Sequence, residues 1–209
     1  MATMGRPRTF DRDKAIEAAM YLFWQNGYES TSLSQLKAGI SNGISAPSFY
    51  AAFGSKEALF HECVQRYLAT YGQVTESLWD TRLPPRYALE TTLRRSAEMQ
   101  CETSHPKGCM IGLGVMSAPS AENASVAEPL AKSRARTCAG IASTVQRGIE
   151  SGELSAKTDV QALTTSFSAF LFGLSTLARD GATLSELNNA ITAIMSLWDL
   201  CKADKGRSS

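Results

Sequence analysis

Three side chains able to ligate a metal or react as nucleophiles recur at even spacing: Cys101, His105 and Cys109. Two thiolates and an imidazole suit a soft metal. Pro106 and Gly108 interrupt any shared helix face, however, and no fourth ligand is evident, so no metal and no cofactor is expected. Lys107 beside Cys109 would favour a thiolate, which keeps a metal-sensing or redox-sensing thiol as an alternative. His61 and His105 are the only histidines, and neither belongs to a nucleophile motif. Gly108, Gly112 and Gly114 lack the strand-to-helix setting of a nucleotide-binding loop. Catalysis is therefore not expected.

A different kind of chemistry is carried by Ser45-Ala46-Pro47-Ser48-Phe49-Tyr50-Ala51-Ala52-Phe53. Ser45 is a good N-cap, Pro47 fits a first turn, Gly54 is a stop and Ser55 caps the next helix. A helix of two turns cannot hold itself together, because nucleation is unfavourable. Neighbours must support it, and its use is to present side chains. A short helix after a helix and a tight turn is the reading half of a helix-turn-helix.

The elements that must position it are all helical. Asp11 caps a first helix that ends near Asn26 at Gly27, with Ile16, Ala19 and Phe23 on one stripe. Thr31 or Ser32 caps a second, with Leu33 and Leu36 inward. From Ser55, the series Phe60, Val64, Tyr67, Tyr71, Val74 and Leu78 forms one seam. Unbroken to Thr81, that helix would be roughly 40 Å long. Leu83-Pro84-Pro85 ends it, a helix from about Arg86 to Cys101 comes next, and Cys109 to Ser117 is a buried apolar segment. A long helix from about Ala124 to Ser151 closes at Gly152.

Two final helices have the clearest periodicity. One carries Val160, Leu163, Phe167, Phe170, Leu174 and Leu177, and the other Leu184, Leu187, Ile191, Ile194, Trp198 and Cys201. Asp180-Gly181 turns between them, and Thr183 with Glu186 has capping-box spacing. One seam must close the chain's own core. The breadth of the apolar faces favours a second role in a homodimer, through Val160, Leu163, Phe167, Leu174, Leu187, Ile191, Ile194 and Trp198.

The fold class is thus all-α. Residues 1–54 are expected to form a three-helix DNA-binding domain with a basic arm, and 55–209 a helical ligand-binding and dimerisation domain. The chain of 209 residues has a formal net charge of +1, so DNA contact must come from a local patch. The five scattered cysteines argue against a disulfide framework. The N-terminus lacks the apolar core of a signal peptide, and the run from Met110 to Met116 is too short to span a bilayer. The expectation is a cytoplasmic protein. Trp79, Met99, Met110, Met116, Phe167, Phe170 and Phe172 could line an apolar ligand pocket, with Cys109 beside them, although such residues are more often simply core.

The first 70 or so residues also resemble the TetR family of bacterial transcriptional regulators. The resemblance rests on Ala18 to Phe23, Gly27-Tyr28, Thr31-Ser32-Leu33, Leu36, Gly43-Ile44-Ser45, Phe49 to Phe53 and Lys56 to Phe60. It implies a homodimer on a palindromic double-stranded operator, usually a repressor, released by a small-molecule effector. It also implies phosphate contact by Thr31 or Ser32, Tyr50 and Lys56, and a groove-facing turn of Ser45, Ala46, Pro47 and Ser48. Arg6 and Arg8 lie on the arm, where an arginine can enter an A·T-rich minor groove. The turn before Ser45 is about two residues longer than the family pattern, and none of the groove-facing residues has a bidentate fork.

Overall fold

The structure is a computed structural model, and it describes residues 11–40, 43–114 and 120–203. Ten α-helices run through the described residues: α1 (Arg12–Asn26), α2 (Leu33–Gly39), α3 (Ala46–Phe53), α4 (Lys56–Ala69), α5 (Pro85–Cys101), α6 (Met110–Leu113), α7 (Ala124–Glu150), α8 (Val160–Arg179), α9 (Leu184–Ile194) and α10 (Ser196–Leu200). No strand occurs among them; Leu154 and Lys202 form an isolated bridge.

Local capping sets the boundaries. The Asp11 carboxylate accepts from the Lys14 N–H, and Gly27 at φ 79° receives the chain leaving α1. Ser32, not Thr31, caps α2, in a reciprocal box with Gln35. Ser45 and Ser55 cap α3 and α4 by accepting the Ser48 and Ala58 N–H groups, with no return bond, and Thr183 with Glu186 forms a second reciprocal box at α9.

The expected single helix from Ser55 to Thr81 is broken. α4 stops at Ala69, and Tyr71–Trp79 is a 3₁₀ segment. At the break, Thr70 has φ −119° and ψ −90°, and its hydroxyl turns back onto the Arg66 carbonyl at 2.8 Å. A β-branched hydroxyl residue followed closely by Gly72 is a weak point in a helix. The last expected helix also divides, at Met195, between α9 and α10.

Two clusters make the core. One gathers Ile16, Met20, Phe23 and Trp24 of α1 with Leu36, Phe49, Phe53 and the α4 face Leu59, Phe60, Val64 and Tyr67, and it continues into Met99, Met110, Val126 and Leu130. The second joins Leu89 and Leu93 of α5 to Ile141 and Val145 of α7 and to the α8–α9 hairpin. Here the expected dimer seam is corrected. Leu163, Phe167, Leu174, Leu187, Ile191 and Trp198 are all buried in the second cluster of their own chain, and Val160 and Ile194 pack against it. Those six side chains fill this chain's own core and cannot also face a second copy, whereas Val160 and Ile194 are half-buried and border the outward face. The outward faces carry instead Ala162, Ser166, Ala169, Gly173 and Leu177 on α8, and Leu184 and Ala193 on α9. α8 is long and apolar enough to cross a membrane by length and composition, but eight of its residues are buried within the fold.

Candidate nucleic-acid interface and effector cavity

α3 is held from behind and open in front. Phe49 and Phe53 are buried, while Ser45, Pro47, Ser48, Tyr50 and Ala51 are exposed. Two aromatic anchors four residues apart fix the helix against the head, and the opposite face is left free to dock. The Ser45 and Ser48 hydroxyls are 2.9 Å apart, and Ser45 Oγ also accepts from the Ser48 N–H. Tyr50 is 51% exposed and meets Phe49 edge to face, so about half of its side chain is open to a partner.

Among the other expected DNA residues, Ser32 and Thr31 part company. Ser32 is exposed at the start of α2. Thr31 is fully buried, and its hydroxyl donates to the Gly27 carbonyl at 2.7 Å. It cannot reach a phosphate; its role is to lock the turn between α1 and α2. Ala46 is half-buried. Lys56, the first residue of α4, holds its ammonium 4.2 Å over the Tyr28 ring. Burial pulls its pKa down from the usual lysine value, and Glu29 partly opposes this. A compact cation held at one point on a helix start can pair with a phosphate without first being ordered. Arg6 and Arg8 lie outside the described residues.

The second feature is a cavity of about 580 Å³ between the 3₁₀ segment, α5, α7 and α8. Its size is that of a site for a drug-sized molecule. Met99, Cys109 and Phe172 line it, together with Tyr67, Gln100 and Ile111. The other expected pocket residues lie elsewhere. Trp79 is at the surface beneath Arg136, whose guanidinium carbon is 4.9 Å from the ring centre. Met110 borders a smaller crevice of about 170 Å³ beneath α1. Phe167 and Phe170 belong to the second core, and Met116 is outside the described residues.

Cys101, His105 and Cys109 are not brought to a common point. Cys101 Sγ faces the Ala182 carbonyl, at 3.7 Å. His105 is stacked on Trp24 with ring centres 4.5 Å apart, and lies edge-on to Tyr71 at 4.6 Å. Cys109 Sγ accepts from the Tyr67 hydroxyl at 3.2 Å and from the Gly112 N–H at 3.4 Å. Burial drives the Tyr67 phenol well above its usual pKa, so it stays a donor. Among the described residues no group of three or more His, Cys, Asp or Glu side chains is placed to hold a metal ion.

The connection between head and cavity carries no sequence motif. Arg179, in the last turn of α8, donates to the carbonyls of Trp24, Gln25 and Lys107 at 3.0, 3.0 and 2.9 Å. Two of those are carbonyls at the open end of α1. The Trp24 indole N–H donates to the Gly108 carbonyl at 3.1 Å. The loop from Glu102 to Cys109 is thereby clamped between the head and the cavity wall. On the other side, Glu29 accepts from Ser120 N–H and Asn123 Nδ2, and the Ser125 hydroxyl donates to Glu57. A lone arginine at a helix C-terminus was the only visible signal.

Comparison with known proteins gives this arrangement a family. Residues 15–63 match the family model "Bacterial regulatory proteins, tetR family". The "HTH-type transcriptional repressor ComR" of Escherichia coli (strain K12) is 31% identical over 195 residues, which is 93% of this chain and 91% of that protein. The chain belongs to the TetR family. The "HTH-type transcriptional repressor BdcR" of Escherichia coli (strain K12) is 36% identical over 114 residues, 54% of this chain and 56% of that protein. Among solved structures, a TetR-family regulator, CifR, in complex with a 26-bp double-strand operator DNA is 34% identical with a TM-score of 0.83, over 92% of this chain and all of that one. As a TetR-family member, this protein is an all-helical, soluble, DNA-binding transcriptional regulator, not an enzyme. TetR regulators act on double-stranded DNA as homodimers that answer to small ligands.

Proposed function

We propose that this TetR regulator is a cytoplasmic repressor that holds a palindromic operator until an effector enters the 580 Å³ cavity. The observation that carries the reading is the pairing of an open, hydroxyl-rich α3 face with a cavity tied to the same head through Trp24 and Arg179. Residues 1–54 supply the reading head and 55–209 the effector and dimer unit. Ser45, Ala46, Pro47 and Ser48 face the groove, where small hydroxyl and methyl groups position the helix more than they discriminate bases. Ser32, Tyr50 and Lys56 take phosphates, and Arg6 and Arg8 enter the flanking minor groove. The outward α8–α9 face pairs two copies. Effector binding favours a core state in which the heads no longer match the half-site spacing.

Gel-shift titration on the upstream intergenic DNA tests this. Tyr50→Phe and Lys56→Ala should each weaken binding several-fold with an unchanged dimer by sedimentation. Unaltered affinity in both variants would refute the assignment.

One observation supports a second reading, in which the sensor is a thiol. Cys109 lies in the cavity wall and accepts two hydrogen bonds, whereas Cys101 is engaged elsewhere. Release from DNA by an oxidant or a soft metal would then vanish in Cys109→Ser and survive in Cys101→Ser.

A further inference from the structure

The lining of the cavity restricts what can occupy it. We propose that its ligand is an uncharged, mainly apolar molecule with one hydrogen-bond donor, a hydroxyl or an N–H, that pairs with the Gln100 side-chain carbonyl. This deepens the reading of the cavity as the effector site and rests on it.

Three observations lead there. First, the walls are mostly apolar, with Met99, Ile111, Leu171 and Phe172 among them. Second, the charged lining residues are already neutralised. Arg136 is bidentate to Glu76 at 2.6 and 3.0 Å, and it also covers the Trp79 ring. Lys132 pairs with Glu128 at 2.7 Å and is largely exposed. Among the described residues no unpaired charge therefore waits in the cavity for an ionised ligand, and an ion would lose its hydration with nothing in return. Third, Gln100 lines the cavity from α5 and is only 2% exposed; its Oε1 has no hydrogen-bond partner and is itself closed off, so a turn of the side chain is what brings this acceptor to a ligand. A buried carbonyl without a partner raises the free energy of the empty protein, and a donor on the ligand removes that penalty.

Gln100 is also a suitable point from which to report occupancy. Its main-chain carbonyl accepts from the Gly108 N–H at 3.0 Å, and Gly108 is the residue whose carbonyl the Trp24 indole holds. A ligand that reorients the Gln100 side chain acts one residue from the clamp on the head.

The test uses the full chain and three probes of one shape: 2-naphthol, naphthalene and 2-naphthoate. Calorimetric titration should give 2-naphthol an affinity about tenfold above naphthalene, the ratio expected for one satisfied buried acceptor. The carboxylate should bind at least tenfold more weakly than the phenol. In Gln100→Leu the advantage of the phenol over naphthalene should vanish while the melting temperature holds or rises, because no native hydrogen bond of the side-chain carbonyl is lost. Gln100→Met serves as the second variant, with the same expectation. Binding of the carboxylate equal to or tighter than that of the phenol overturns the proposal. So does a phenol advantage that persists in both variants, or one that survives Ser133→Trp, which fills the cavity. Absence of saturable binding by all three probes overturns it as well. If 2-naphthol binds as described but leaves the operator complex intact in a gel shift, the ligand class stands and the reading as effector site fails.

Discussion

Replacing Arg179 by methionine isolates the clamp between the hairpin and the head. The variant keeps most of the aliphatic stem and removes three charge-assisted hydrogen bonds of 2.9 to 3.0 Å. Each such bond contributes roughly 1.5–3 kcal/mol net, so the gross loss is about 5–9 kcal/mol. Two effects reduce it. The guanidinium is partly buried among carbonyls, and that burial lowers its pKa from the usual arginine value, a sign that desolvation already opposes the charge. The Gln25 carbonyl, at a half-buried helix end, can also recruit water once released. We expect a net destabilisation of about 2–4 kcal/mol in urea unfolding at fixed dimer concentration, with an unchanged m-value. Arg179→Lys should recover less than half of it, since an ammonium cannot span three carbonyls in a plane. A loss below about 0.5 kcal/mol, or full recovery by lysine, would refute the clamp.

Other substitutions test the remaining structure. Lys56→Ala should reduce the slope of log affinity against log salt by about one, measured by titration at several salt concentrations. Phe167→Ala, deep in the second core, should destabilise the protein by about 3–5 kcal/mol by denaturant melt. Leu177→Glu, on the exposed face of α8, should instead leave the subunit fold intact by circular dichroism and weaken the dimer in sedimentation. The pair reverses the outcome that the buried seam would give if it were the interface. Asp199 is held down to about pKa 2 by Arg86 first and Lys202 second, joining α10 to α5. The stabilisation is present above the unfolded carboxylate pKa near 4 and is lost as pH falls toward 2. Because Asp199 is 38% exposed, solvent screening limits it to about 1 kcal/mol. Asp199→Asn should flatten the acid limb of the stability profile by that amount.

Most of the helical order was legible because capping and periodicity are local. Asp11, Ser45, Ser55 and Thr183 each act within four residues, and each caps the helix expected of it. Thr31 and Ser32 could not be separated in sequence, since either hydroxyl can cap; the choice is made by the end of α1, where the Leu22 carbonyl and that of Gly27 just beyond the helix claim the threonine. Helical spacing says that Phe167, Leu187 and Trp198 are buried but not by which chain, and the long helices α5 and α7 supply the missing cover here. The break at Thr70 is invisible to a seam that keeps its register across it. The cavity was harder still. Its wall is made by residues such as Gln73, Ser96, Gln100 and Ser133, which carry no motif and meet only after α5, α7 and α8 have packed.

The 3₁₀ segment at the centre of this wall has a mechanical meaning. Its rise is about 2.0 Å per residue, against about 1.5 Å in an α-helix. Rewinding all nine residues from Tyr71 to Trp79 would shorten the strut behind α4 by about 4–5 Å. Gly72 to Glu76, the middle of that strut, line the cavity. The stretch of backbone whose length depends most on its winding is thus also the one that borders the cavity, and α4 behind the reading head continues directly into it.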